Sequence, residues 1–297
     1  MIFKGKTVLV TGATGFVGSN VVARLIEEGA YVRAFVRSSS NLASLDNINN
    51  VNIFVGEFGN KIDVQAAVKG VQVVIHCAAT GSPDRQEAYS VNLDASTNMF
   101  DAALSVGCRR FIHISTTGVY KLSGQAVIDE TDCALSTESV YADSKSKADV
   151  AAIEYFSRGL PVVVLRPALV LGTHFSSVWG SKVPRAIRQG KFPIAGDGMG
   201  IFPYVHIRSL VESILTAALV DSAPGEIINV VDGHSTWMEY VEPIARRPIP
   251  SIPLDKAPPI FLNKARFSAE KASVLLGHTA VCTFEDAVGE INRFIDN

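Results

Sequence analysis

The chain has 297 residues, of which 47% are hydrophobic and 19% charged, and its formal net charge is −2. A length of this order can bury a substantial core, which excludes a small stapled scaffold, and the near-neutral balance gives no basic footprint for nucleic acid, so a small-molecule ligand is expected. The four cysteines, at 77, 108, 133 and 282, lack C-x-x-C spacing and read as thiols in a reducing compartment, with no metal site expected, and no apolar run approaches the roughly 18 residues of a membrane helix.

Val8, Leu9 and Val10 form a continuous aliphatic run, the pattern of a strand buried on both faces. Gly12, Gly15 and Gly18 follow it. The first permits a sharp turn, the second removes a side chain where backbone amides approach a pyrophosphate, and the third lets the next helix lie against the sheet. An anion is favoured at the N-terminus of that helix, which is expected over 20–28 and is ended by Gly29. Further strands are expected at 31–36, 51–55, 71–75, 111–114, 162–165 and 227–231, with helices at 64–68, 93–106, 140–158 and 209–219. This alternation predicts an α/β fold, a doubly wound parallel sheet of the Rossmann type with right-handed crossovers.

Composition changes after Arg166. Prolines 167, 184, 193 and 203 with Gly196, Gly198 and Gly200 describe an irregular segment that returns to the sheet near 204–207, and the proline-rich tract 243–259 excludes a long helix or an inner strand. Residues 1–166 and 204–233 are therefore expected to form the dinucleotide-binding domain, and 167–203 with 234–297 a smaller, discontinuous substrate-binding lobe over the carboxyl edge of the sheet. The first residues lead into a strand with no basic and apolar leader, so a cytoplasmic protein is expected.

The second strand ends on Arg37, where an acidic residue would accept a ribose hydroxyl. A guanidinium there can bind a 2′-phosphate by charge-assisted hydrogen bonds, so NADP(H) is expected in preference to NAD(H). Arg33 faces the other way and reads as a surface residue. Tyr141 and Lys145 stand four apart, on one helix face a turn from each other. A free phenol titrates near pH 10, and a neighbouring ammonium with a cationic nicotinamide would bring it into use as an acid or base. Upstream, the strand at 111–114 runs into Ser115 and Thr116, hydroxyls placed to donate to a carbonyl oxygen.

These residues together resemble the extended short-chain dehydrogenases/reductases, in the broad epimerase/dehydratase and hydroxysteroid-dehydrogenase-like superfamily. The resemblance rests on TGATGFVG, His76-Cys-Ala-Ala79, Val91-Asn92, Ser115-Thr116 with Tyr120, YADSK, Arg166-Pro167, and Gly196-Asp-Gly198 with Val205-His206, and it covers nearly the whole chain. It implies that Thr116 polarises the carbonyl, that Tyr141 exchanges the proton, and that Lys145 orients the ribose and tunes Tyr141, with Ser115 a substitute for Thr116. It further implies that the cofactor is held by Gly12, Thr14, Gly15, Phe16, Val17, Gly18, Glu57, Phe58, Ala78, Ala79, Thr80, Asn92, Tyr141, Lys145 and Pro167, beside Arg37. Departures bear on the substrate. Thr117-Gly118 stand where sugar-nucleotide 4,6-dehydratases carry an Asp-Glu pair, Ala168-Leu169 and Met199–Pro203 replace usual diphosphate anchors, and Arg208-Ser209 replace an acidic pair. Lys182, Arg185 and Arg188 could serve as such anchors and read more readily as a solvated helix face.

The expected activity is an NADP(H)-dependent transfer of hydride between nicotinamide and a ketone or secondary alcohol. The alternatives are a nucleotide-sugar epimerase or 4-ketoreductase using the same triad, and a non-catalytic NADP(H)-sensing protein. The substrate wall is expected from 81–85, 120–122, 169–179 and 202–204, where Phe175, Trp179 and Phe202 suggest an apolar surface and are also ordinary core residues, and where His174 reads as structural. The resemblance implies a homodimer through helices 93–106 and 140–158, covering Phe100, Ala103 and Ala151.

Overall fold

In the computed structural model, which describes residues 1–46, 48–122, 124–132 and 135–296, the fully buried Val8, Leu9 and Val10 form the centre of β1 (Thr7–Thr11). β1 is an inner strand of a seven-stranded sheet with β2 (Tyr31–Val36), β3 (Val51–Val55), β4 (Val73–His76), β5 (Arg110–Ile114), β6 (Val162–Pro167) and β7 (Ile227–Val230). The order is β7-β6-β5-β4-β1-β2-β3, and the pairings from β3 across to β6 are parallel. The chain reverses its direction of winding between β1 and β4, the point at which such sheets bind ligands beyond their carboxyl ends.

α1 (Phe16–Glu27) turns Val21, Val22 and Leu25 inward, and α2 (Lys61–Val68) opens on Asn60, whose Oδ1 accepts from the Ile62 amide at 3.0 Å. α3 (Ala95–Ser105) follows a single π turn at Ser90–Asp94, and α4 (Val140–Ser157) is capped by Ser139, whose hydroxyl accepts from the Ala142 amide at 3.0 Å. Leu9, Phe35, Met99, Phe100, Phe111 and Val162 pack into one apolar cluster with α2, α3 and α4. Phe100 and Ala103 are fully buried inside it, so they present nothing to a partner chain; the exposed apolar residues of α4 are Val150 and Phe156.

The chain divides into two compact units, the first of Met1–Lys121, Ala134–Arg166 and Val211–Ile228 and the second of Leu122–Cys133, Pro167–Leu210 and Asn229–Asn297. Residues 204–206 do not return to the central sheet. They end the strand Ile201–His206, whose hydrogen bonds are spent on Gly233–Thr236, antiparallel, and on Leu169–Leu171, parallel, in a separate three-stranded sheet. Val127–Ile128 likewise pairs with Arg266–Phe267 within the second unit. The segment after Arg166 is less irregular than its composition predicts. Pro184 lies in the first turn of a helix over Val183–Arg188, where its missing N–H costs no helical bond. In the proline-rich tract, Ser251–Ile252 pairs with Ile194–Ala195 and the remainder is turns.

An aromatic cluster holds the second unit together. Phe202 stacks on Tyr240 with centroids 4.4 Å apart and meets the edge of Trp237 at 4.9 Å, while Trp179 lies 5.6 Å from Trp237 and its carbonyl accepts from the Tyr240 hydroxyl. Trp179 and Phe202 are thus core residues, and Phe175 is 52% exposed. Among the described residues no helix is long and apolar enough to cross a membrane. Cys77, Cys108 and Cys282 are free thiols, and Cys133 lies outside the described residues.

Candidate active site

The turn after β1 closes on itself so tightly that side chains have no room. Gly12 has φ +61°, and a Cβ there would lie 2.7 Å from the Ala78 amide nitrogen; at Gly18 a Cβ would lie 2.2 Å from the Gly12 carbonyl oxygen. Gly15 is the N-cap of α1 and no side chain caps it, nor does an acidic residue occupy the first turn. A glycine-rich turn opening onto the positive end of a twelve-residue helix fits the pyrophosphate of a dinucleotide. Phe16 and Val17, in the first turn of α1, are partly buried, and the Thr14 carbonyl accepts from the Ser44 hydroxyl at 3.0 Å.

Behind the turn runs a chain of buried hydrogen bonds. Ser96 donates to the Asn92 carbonyl at 2.8 Å, so its oxygen accepts from His76 Nε2 at 3.1 Å, and His76 Nδ1 in turn accepts from Thr11 at 2.8 Å. Burial pushes the His76 imidazole well below its ordinary range and keeps it neutral, in agreement with that tautomer. Asn92, fully buried in the π turn, accepts from the Thr80 amide at 2.8 Å and donates to the Thr80 carbonyl and to the Ser144 hydroxyl, each at 3.0 Å. Its amide is therefore committed to the protein. It ties the loop after β4 to α4 one residue before Lys145, a setting in which π turns recur. Ala78 is buried, Ala79 exposed and Thr80 partly buried in that loop.

Thr116, Tyr141 and Lys145 come together at the carboxyl end of β5. The Thr116 hydroxyl accepts from the Gly118 amide at 3.0 Å, and the partly buried Tyr141 phenol neighbours it. Lys145 is 1% exposed and donates to the Ile114 carbonyl at 2.6 Å. Loss of water raises the phenol to about 12, the neighbouring Thr116 hydroxyl working against that rise and the Asp149 carboxylate adding to it. Burial draws the Lys145 ammonium down to about 8, against the opposing pull of Asp149 and Cys77. Ser115, 4% exposed, has a hydroxyl with no hydrogen-bond partner among the described residues, the kind of orphan that a bound ligand satisfies.

The other expected residues divide. Arg37 is exposed just past β2, its amide bonded to the Ser40 hydroxyl at 3.0 Å and its guanidinium unpaired among the described residues. Arg33 is not a free surface residue: it donates to the Ala67 and Lys69 carbonyls at the end of α2, at 2.6 and 2.9 Å. Glu57 is exposed, whereas Phe58 stacks on Phe35 at 4.7 Å and belongs to the packing beside the core. Pro167 is the buried last residue of β6. Arg188 is paired with Asp296 and Asn292, Arg185 lies 3.4 Å from the Ser181 hydroxyl, and His174 bonds the Ser176 hydroxyl in its own turn.

Sequence reasoning missed a buried charge cluster beneath the trio. Arg166 Nε donates to Asp149 Oδ2 at 2.9 Å, and His113 Nε2 lies 3.5 Å from Asp149 Oδ1. Burial opposes the Asp149 charge, but His113, Arg166 and Lys145 outweigh it and hold the carboxyl below its usual range. The signal was available: Asp149 stands four residues after Lys145, on the face already occupied by Tyr141.

The sequence model of the NAD dependent epimerase/dehydratase family matches residues 8–230. The chain is 29% identical over 259 residues to the sterol demethylase protein B of Methylococcus capsulatus, covering 83% of this chain and 76% of that protein. It is 28% identical over 258 residues to a 3-beta-hydroxysteroid dehydrogenase of Mycolicibacterium neoaurum, covering 80% and 69%. Its fold is similar to that of a UDP-glucuronic acid 4-epimerase from Bacillus cereus solved with UDP-glucuronic acid and NAD, with a TM-score of 0.83, 22% identity and 98% and 99% of the two chains covered.

Proposed function

The chain belongs to the NAD dependent epimerase/dehydratase family and is an extended short-chain dehydrogenase/reductase enzyme that uses a nicotinamide cofactor, and from that premise we propose that it is an NADP(H)-dependent oxidoreductase acting on a ketone or secondary alcohol. The observation that carries this reading is the partly buried Tyr141 beside the Thr116 hydroxyl at the end of β5, with the buried Lys145 one helical turn away. A dinucleotide held by its pyrophosphate at the glycine turn would supply or accept the hydride through its nicotinamide. In the reducing direction Tyr141 gives its proton to the carbonyl oxygen, Thr116 donates a second hydrogen bond to that oxygen, and Lys145 stabilises the phenolate left behind. A phenol near 12 holds its proton throughout the neutral range, which suits it to the role of acid. Arg37, exposed and with its guanidinium unpaired among the described residues, supports recognition of the 2′-phosphate of NADP(H).

The fold shared with a UDP-glucuronic acid 4-epimerase favours a second reading, a nucleotide-sugar epimerase or 4-ketoreductase. Against it stand Ala168-Leu169 and Met199–Pro203 where diphosphate anchors are expected, and the engagement of Arg188 by the C-terminal helix. The two readings separate in a panel of ketones and nucleotide sugars assayed by NADPH depletion. Consumption with ketones is expected; interconversion of a nucleotide sugar with no net change in cofactor would replace the first reading by the second. A homodimer through α3 and α4, with Val150 and Phe156 at the contact, accompanies the proposal, and light scattering showing only monomer would remove it.

A further inference from the structure

We propose that Asp149 is the counter-ion that keeps Lys145 in its ammonium form beside Tyr141, and that Arg166, by pairing with the same carboxylate, sets how much of its charge the lysine receives. Both act as positioning residues, and the inference rests on the reading of Tyr141 and Lys145 as the proton-transfer pair.

The argument begins with what faces the ammonium. Among the described residues Lys145 donates one hydrogen bond, to the Ile114 carbonyl, and a buried charge with only a neutral acceptor is costly. The groups around it are Tyr141 and Asp149 on its own helix, His76 and Cys77 from the end of β4, His113 from β5, and Arg166 from β6 acting through Asp149. At neutral pH most of these carry no charge. Burial pushes the Cys77 thiol up to about 12 and draws His113 down to about 4, and His76 lies well below its ordinary value. What remains is one anion, Asp149, 1% exposed, paired with Arg166 at 2.9 Å and one helical turn from the equally buried Lys145.

Arg166 is fixed on both sides. Its Nε lies 2.9 Å from Asp149 Oδ2, and its guanidinium lies over the Tyr120 ring at 4.6 Å. Tyr120 belongs to the segment that also carries Ser115 and Thr116, so the cluster joins α4 to the hydroxyl-bearing end of β5. Sharing one carboxylate makes two substitutions act in opposite directions. Removing the carboxylate leaves two buried cations unneutralised, and because a guanidinium does not give up its proton, the lysine does. Removing the guanidinium charge leaves the carboxylate to the lysine alone and holds its proton more firmly.

The test follows Lys145 directly, in the full chain prepared with isotope-labelled lysine, its NMR signal assigned by loss in Lys145→Arg. In Asp149→Asn the titration midpoint is expected to fall by about one pH unit or more, and in Arg166→Gln to rise. An unmoved midpoint, or movement of both variants in one direction, overturns the proposal. Should Asp149→Asn fail to fold, the sign in Arg166→Gln decides alone, and a fall or no change there is equally fatal. Asp149→Glu, which restores the charge, is expected to return the midpoint towards that of the wild type. Because the readout needs no substrate, an inactive wild type would sink the oxidoreductase reading and leave this result standing. Where a ketone is turned over, the alkaline loss of kcat/KM is expected to move to lower pH in Asp149→Asn and to higher pH in Arg166→Gln, with KM little changed.

Discussion

A phenol near 12 beside a lysine near 8 is an arrangement in which the acid is never short of its proton at neutral pH and the cation is only part of the way to losing its own. Removing the hydroxyl removes the only side chain proposed to exchange the proton. Tyr141→Phe is therefore expected to lower kcat by about 10²–10⁴ while circular dichroism and NADPH affinity stay close to the wild type, and unchanged turnover of every accepted ketone would refute the role. Arg37 makes a separate contribution, because its guanidinium is exposed and unpaired among the described residues. A hydrogen bond to a charged group contributes about 1.5–3 kcal/mol, so Arg37→Ala is expected to cut the ratio of NADPH to NADH efficiency by about ten- to a hundredfold. Steady-state kinetics with both cofactors checks it, and an unchanged ratio rejects the assignment.

At the scale of elements, the junction of β1 and α1 is the least forgiving. A Cβ at Gly18 would stand 2.2 Å from the Gly12 carbonyl oxygen, and since both partners are backbone, neither can swing aside. Gly18→Ala is expected to cost about 3 kcal/mol in a urea titration, whereas Gly59→Ala, with nothing within 4 Å of its Cβ, is expected to stay within about 0.5 kcal/mol. This junction was legible because glycine spacing and a continuous aliphatic run are local signals; for the same reason β2 and β3 coincide with the expected 31–36 and 51–55. Of the strand Ile201–His206 only 204–206 was legible, and not as part of a second sheet, because its partners lie at 169–171 and 233–236 and long-range pairing leaves no local mark. Within the candidate site the trio could be read from spacing. Asn92 could not be read as the tie between Thr80 and Ser144, because the π turn that aims its amide has no sequence signature distinct from the start of a helix. Asp149 was passed over because a lone carboxylate on a helix looks solvated until its burial is known.

Across the whole molecule, histidines held neutral by loss of water shape the response to acid. His113 in the first unit and His234 in the second both fall from the ordinary 6.5 to about 4, His113 chiefly through burial and His234 through burial and then Arg266. In the unfolded chain each binds a proton near 6.5, and in the folded chain only near 4, so between these values unfolding takes up protons and stability rises with pH. The stabilisation is complete above about 6.5 and is lost as the pH falls towards 4, on the order of 3 kcal/mol for the fully buried His113 and less for the half-buried His234, whose charge solvent screens. His234 offers the sharper test, because its Nε2 accepts from the Phe267 amide at 2.9 Å, a bond that protonation of that nitrogen abolishes. Both tryptophans, Trp179 and Trp237, lie in the core of the same unit, so their fluorescence reports its unfolding. Urea titrations followed in this way are expected to give a wild-type stability that declines between pH 7 and pH 4.5. His234→Gln, whose amide oxygen can accept from Phe267 without titrating, is expected to flatten that decline by about one proton's worth. An equally steep decline in the variant would mean that His234 is charged in the folded protein, and the neutral acceptor assigned to it would have to be abandoned.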